Sequence, residues 1–329
     1  MSVRVAAVHP LCAIEGGRIT IEGTGFPVDG RSLPDVRIGD TAARLIQASP
    51  TLLTAIVPAG LDSGRARVHV AGVADDAYAF VEIGAPFASG LHQVDNPIFD
   101  RDGNLYVTYS GTRGQQVPVS IFRVRPNGTR EPFSSGIVNP TSMAIDADGQ
   151  LFVSSRFEGT VYRVASDGEI EPFAQDLGVA CGLAFSRAGV LYVGDRSGTI
   201  FTVDRNGRAT TFASLPPSVA AFHLAFGPDE ALYVTGPTLA SRDELYRIAP
   251  DGTVTTRYAR FGRPQGLAFD SSGMLHVVDA LAGASGLYRL PPEGEPELLL
   301  SGPALIGVAF DAGGHMVVTS NDTAYRLTR

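Results

Sequence analysis

Residues 148–164, DGQLFVSSRFEGTVYRV, decide the fold. The opening Asp-Gly supplies the positive φ of a tight hairpin, and LFV is an apolar run of β-formers. TVYRV reads as a second strand, and the polar insertion SSRFEG lies between the two. The outer parts of this phrase recur along the chain while its centre changes. Aligned on the second strand, the copies are NLYVTYS, QLFVSSR, VLYVGDR, ALYVTGP, MLHVVDA and HMVVTSN. Their anchors are Leu105, Leu151, Leu191, Leu232, Leu275 and Met316, separated by 46, 40, 41, 43 and 41 residues.

Each anchor is preceded by another apolar strand (NPIFD, SMAID, GLAFS, HLAFG, GLAFD, GVAFD). A third follows it (SIFRV, TVYRV, TIFTV, ELYRI, GLYRL, TAYRL), and then a weaker fourth (REPFSS, IEPFAQ, ATTFAS, VTTRYA, PELLLS). Turn residues interrupt every run before a helix can form. Four antiparallel strands at a period of ~40–45 residues predict a β-propeller blade, and six units predict six blades. The last unit lacks its fourth strand. Residues 85–91, APFASGL, match residues 131–137, EPFSSGI, which end the first unit. Residues 85–89 are therefore expected to supply the outer strand of the last blade and close the ring, which hides an otherwise exposed sheet edge.

The first 84 residues follow another pattern. In EGGRITIEGTGFP, residues 15–27, Ile19 and Ile21 alternate with Arg18, Thr20 and Glu22, as in a strand with one buried face. DVRIGD, LLTAIVPAG, GRARVHVAG and AYAFVEIG add further short strands punctuated by Gly and Pro, which predicts a small sandwich. The expected architecture is all-β: an immunoglobulin-like β-sandwich over residues 1–84, then a six-bladed β-propeller over residues 85–329.

Composition narrows the chemistry. All 26 basic residues are Arg, and the formal net charge is −8. Without Lys there is no Schiff-base nucleophile or lysine base. An acidic chain without a basic run argues against nucleic acid as a partner. Two cysteines, Cys12 and Cys181, make neither a disulfide framework nor a zinc set. No apolar run approaches the ~20 residues of a membrane span, and the first residues do not read as a signal peptide. The expectation is a cytoplasmic protein.

A four-stranded meander places its loops on alternating faces. One face is monotonous: DRDGN, DADGQ, DSSGM, RPNGT, ASDGE and APDGT are turn formers. The other carries SGTRGQQVPV, SSRFEG, GDRSG, TGPTLASRDE, DALAGASG and SNDT, a different polar vocabulary in each blade. Ligand-contacting groups usually sit on such loops, held by a rigid scaffold. Arg113, Arg156, Arg196 and Arg242 occupy comparable positions in four blades, accompanied by Asp195, Asp243 and Asp279. A guanidinium fork suits a carboxylate, a phosphate or a sugar acid; the same arginines can instead brace loops. His223 and His92 approach the mouth, where one histidine serves as a general base or as a hydrogen-bonded channel residue. Cys181, expected at the mouth, is either a nucleophile or a small buried hydrophobe.

Two resemblances follow from these motifs. GGRITIEGTGF, VRIGD and VPAG resemble an IPT/TIG immunoglobulin-like domain, a type that often serves as a spacer or interaction module. The GLAFD…LYV…LYRL frame resembles NHL-repeat propellers and the senescence-marker-protein/gluconolactonase group. The latter implies a divalent cation such as calcium at the mouth, held by residues matching Asp95, Thr141, Cys181, Phe222, Gln265 and Ile306. Cys181 and Phe222 stand where the group has Asn and Asp, so the full ligand pattern is not met. Some NHL-type propellers are zinc lyases using several histidines, a set not found here. The resemblance implies a lactonase-like hydrolase acting on a polar or anionic, sugar-acid-like substrate, with Asp95 and His223 as acid–base groups. Arg113, Gln115, Arg156, Asp195, Arg196, Arg242, Gln265 and Asp279 would then contact the substrate. The alternative is a noncatalytic scaffold whose partner is another protein.

Overall fold

The computed structural model describes residues 3–28, 33–73, 79–281 and 283–327. Residues 77–78 and 282, in two quoted stretches, and residues 328–329, at the end of the expected propeller, lie outside these. Among the described residues there are only strands and irregular segments. No helix is long and apolar enough to cross a membrane.

Six antiparallel four-stranded blades form the propeller, five of them separate sheets and the fifth in chain order part of a larger sheet. Blade one runs Ile98–Phe99, Leu105–Thr108, Ile121–Val124 and Arg130–Ser134 from the axis outward. Blade six consists of Leu305–Phe310, Met316–Ser320 and Ala324–Leu327, and its outer strand is Ala85–Ala88, paired through Ala85–Arg326 and Pro86–Tyr325. The ring is closed as its sequence predicts.

The repeated aromatic positions hold neighbouring blades together. At three junctions the aromatic residue after the anchor meets the Phe that ends the first strand of the next blade. Phe152 lies 5.1 Å from Phe185, Tyr192 4.9 Å from Phe226 and Tyr233 5.0 Å from Phe269, all edge to face. Such pairs contribute ~0.5–1.5 kcal/mol each beyond their burial. At the next junction His276 takes the aromatic place, tilted against Phe310 at 4.9 Å. On the monotonous face, Asp100, Asp146, Asp270 and Asp311 each accept two backbone N–H groups within their own turn. These carboxylates make turns.

The sandwich packs two sheets over Ile19, Ile21, Ile38, Leu53 and Val70, all fully buried. One sheet orders Arg4–His9, Arg18–Thr24, Leu52–Ile56 and Arg44–Ala48. The other does not end at the sandwich. The two-residue strand Cys12–Ala13 pairs in parallel with Ala79–Ile83 on one side and with Glu297–Ser301, the outer strand of blade five, on the other. A single nine-stranded sheet therefore runs from the propeller axis into the sandwich. Ile14 and Cys12 are buried in one cluster with Leu300, Leu305 and Leu327 of the propeller. The Arg18 amide donates to Ser301 Oγ at 2.7 Å.

Candidate functional site

The irregular face surrounds the axis, and the segment leading into blade one plugs it. Gln93 fixes this segment: its Nε2 donates to Asp95 O at 2.7 Å, and its Oε1 accepts the Thr108 amide at 2.9 Å. Asn96 spans to blades five and six, donating to Leu267 O and accepting from Val308 N, both at 2.9 Å. This approach is so close that a Cβ on Gly307 would lie 2.8 Å from Asn96 Cα. Asp95 Oδ1 meets His223 Nδ1 at 2.5 Å and also accepts the Asn96 amide at 2.7 Å. His223 begins the first strand of blade four, which is opposite blade one in a ring of six. The Asp95–His223 bond thus crosses the axis. His223 Nε2 is buried without a partner.

Below the plug, the first strands of all six blades enclose a channel of about 340 Å³ that Asp95 borders. Above it lies a mouth cavity of about 450 Å³, which Arg113, Arg156, Arg196 and Gln265 line together. Its other walls include His92, Asn139, Phe157, Val219 and Asn321. Asp95 and His223 are brought together as a pair, but only 2 % and 0 % exposed, and they do not line the mouth.

Each arginine is aimed by a pinned loop. Fully buried Asn139, at φ 49°, organises the blade-one loop: its Nδ2 donates to Ser110 O and Thr112 O at 2.6 and 2.8 Å, and its Oδ1 accepts the Gly114 amide at 2.7 Å. Arg113 rides on this loop. Gln115 closes it through Thr112 Oγ1 at 2.8 Å and does not line the cavity. Beside Arg156, Ser155 Oγ donates to Val138 O at 2.5 Å. Beside Arg196, Asp195 accepts the Val179 amide at 2.7 Å and the Ser197 hydroxyl. Asp279 holds the same repeat position in blade five, accepting the Gly262 and Arg263 amides at 2.9 and 2.6 Å. Burial pushes its carboxyl above the ordinary range against the pull of those amides. Asp195 and Asp279 thus have their carboxylates engaged in loop bonds. Arg242 lines a neighbouring hollow instead of the mouth. Sequence reading missed Asn139 as the organiser; an Asn immediately before Pro140 in SGIVNPT is the signal it left.

Among the described residues, none of the three mouth guanidiniums has a carboxylate or hydrogen-bond partner. Burial, together with repulsion from Arg196 and Arg113, pulls Arg156 below its ordinary pKa. Burial and then the charge of Arg156 lower that of His92, favouring its neutral ring. The mouth is therefore a cationic concavity on an acidic protein. Burial raises Cys181 to about 12. At pH 8 the buried thiol is then overwhelmingly un-ionised and poorly nucleophilic. Native protein should resist iodoacetamide at pH 8, whereas both cysteines should alkylate in guanidinium chloride, as read by mass spectrometry. Rapid native labelling at Cys181 would contradict this.

The cation implied by the gluconolactonase resemblance does not fit. Phe222 is buried in an apolar cluster, and Ile306 offers no side-chain donor atom. The Thr141 hydroxyl donates to Asn139 O, and Asp95 is held by His223 and Asn96. Calcium takes six to eight oxygens. No group of three or more His, Cys, Asp or Glu able to hold a metal occurs among the described residues.

Comparison with known proteins agrees with the architecture. Residues 4–81 match the IPT/TIG domain family. A search of curated proteins returns no match. An auxiliary nutrient binding protein from Bacteroides ovatus is 15 % identical, with a TM-score of 0.58 over 100 % of this chain and 98 % of that one. A gluconolactonase from Xanthomonas campestris is 17 % identical, with a TM-score of 0.59 over 74 % of this chain and 88 % of its own. Virginiamycin B lyase from Staphylococcus aureus is 16 % identical, with a TM-score of 0.53 over 90 % and 94 %. Identities this low speak for shared fold and not for shared chemistry. The chain thus joins an IPT/TIG domain to a β-propeller of the architecture found in gluconolactonases and virginiamycin B lyase.

Proposed function

We propose that the protein binds a small anionic molecule at the mouth of its propeller. The observation that carries this reading is the convergence of Arg113, Arg156 and Arg196, from three blades, on one cavity without acidic partners. An incoming carboxylate or phosphate relieves the repulsion among them and gains charge-assisted hydrogen bonds. Gln265 and Asn321 add neutral polar contacts on the same wall. The nutrient-binding protein with the same overall architecture is consistent with a binding role.

Calorimetric titration with gluconate, simple carboxylates and inorganic phosphate tests the reading. Arg156→Gln should weaken binding of the preferred acid roughly 10- to 100-fold. Equal affinity for an acid and its neutral lactone, or no effect of Arg156→Gln, would remove the basis of the proposal.

A second reading, lactonase-like hydrolysis, is favoured by the unpartnered Nε2 of His223. With Asp95 holding Nδ1, that nitrogen has the arrangement of an oriented base. It requires the plug to open. Lactone turnover abolished by His223→Gln with acid binding intact would support this reading; absence of turnover across a lactone panel would end it.

A further inference from the structure

A second hollow adjoins the mouth. It measures about 500 Å³ and lies against blades three and four, where Pro216, Pro217, Val219, Leu239 and Tyr246 form much of its wall. Val219 lines both spaces and is 39 % exposed. The segment carrying it is fixed between the two loops: the Ser218 amide donates to Arg196 O at 3.0 Å, and the Val219 amide to Pro237 O at 2.8 Å. Leu239 is 92 % exposed at the hollow. The acids beside it are occupied. Asp243 accepts the Thr238 amide and hydroxyl at 2.9 and 2.6 Å, and Glu244 accepts the Thr256 hydroxyl at 2.6 Å.

Resting on the anion-binding reading above, we infer that the ligand is an amphipathic acid: an anionic head among Arg113, Arg156 and Arg196, and a linear apolar tail laid over Val219 into the Leu239 hollow. The polarity of the two adjoining spaces carries this step. The mouth presents unpaired guanidiniums, whereas the hollow presents mainly proline, aliphatic and tyrosine surface, with Arg242, Asp243 and Glu244 also on its wall. A polyhydroxylated acid fills the first space and leaves the second exposed to water. An apolar chain covers Leu239 and Val219 and removes that surface from water, the general driving force for such binding.

The test is titration of the full chain with acetate, octanoate and 1-octanol. Each methylene fully buried tightens binding about fourfold, so octanoate, with six more than acetate, should bind at least about tenfold tighter even when its tail is only partly covered. Leu239→Asp, at a surface position, should weaken octanoate about tenfold and leave acetate unchanged, while Arg156→Gln should weaken both acids. If acetate and octanoate bind alike, or if Leu239→Asp has no effect, the tail site is overturned while the anion site stands. If 1-octanol binds as tightly as octanoate, the acid head is overturned. If no acid binds, the anion-binding reading itself fails and takes this inference with it.

Discussion

Asp95→Ala should cost the fold about 3 kcal/mol, the scale seen when one partner of a buried polar pair is removed. The carboxylate accepts both the Asn96 amide and His223, and neither side chain of the pair has access to solvent. Without it, both ring nitrogens of His223 are stranded, because Nε2 already lacks a partner. Asp95→Asn retains an acceptor oxygen and should lose only about 1 kcal/mol, the net value of one ordinary hydrogen bond. The double variant Asp95→Ala/His223→Ala should be less destabilised than the sum of the singles by at least ~1 kcal/mol, since contacting residues are coupled. Urea unfolding of the four proteins measures this. Effects that add within about 0.5 kcal/mol would mean that the axial bond contributes no coupling.

Deleting residues 324–329 should abolish cooperative folding. The deletion removes the strand that joins Met316–Ser320 to Ala85–Ala88 and exposes both of their edges. It also strips Ala324 and Leu327, 0 % and 2 % exposed, from two separate apolar clusters. The loss reaches the whole ~5–15 kcal/mol by which a domain is stable, and the freed edges invite aggregation. Removing only residues 328–329, beyond that strand, is the control and should leave the unfolding transition in place. A soluble protein with a sharp transition after the longer deletion would show that closure by Ala85–Ala88 is dispensable.

Much of the fold was legible because one packing problem is solved six times. The LYV and LAF phrases keep recurring since each supplies a ring for the same junction between blades. The sandwich was legible through the alternation around Ile19 and Ile21. The merger of the two was not: Cys12–Ala13 is too short to show any period, and its pairing with Leu300 and Ser301 spans nearly the whole chain. At the mouth, Arg113, Arg156 and Arg196, grouped by repeat position, line one cavity. Arg242 did not join them: it lies at the far end of its loop, directly before the strand Asp243–Ile248, and lines a separate hollow. Asp195 and Asp279 looked like ligand contacts, yet their carboxylates hold neighbouring amides, a use that depends on how close two loops of one blade approach. Asp95 and His223 were singled out separately; their meeting across the axis depends on ring closure, which no local pattern encodes.

The nine-stranded sheet has a mechanical consequence. Connected units usually swivel unless a large apolar contact restrains them, but here a ladder of backbone bonds and the Ile14 cluster deny the joint its freedom. The sandwich is therefore a fixed bracket and not a tethered flag. A load applied to it is transmitted directly into blade five.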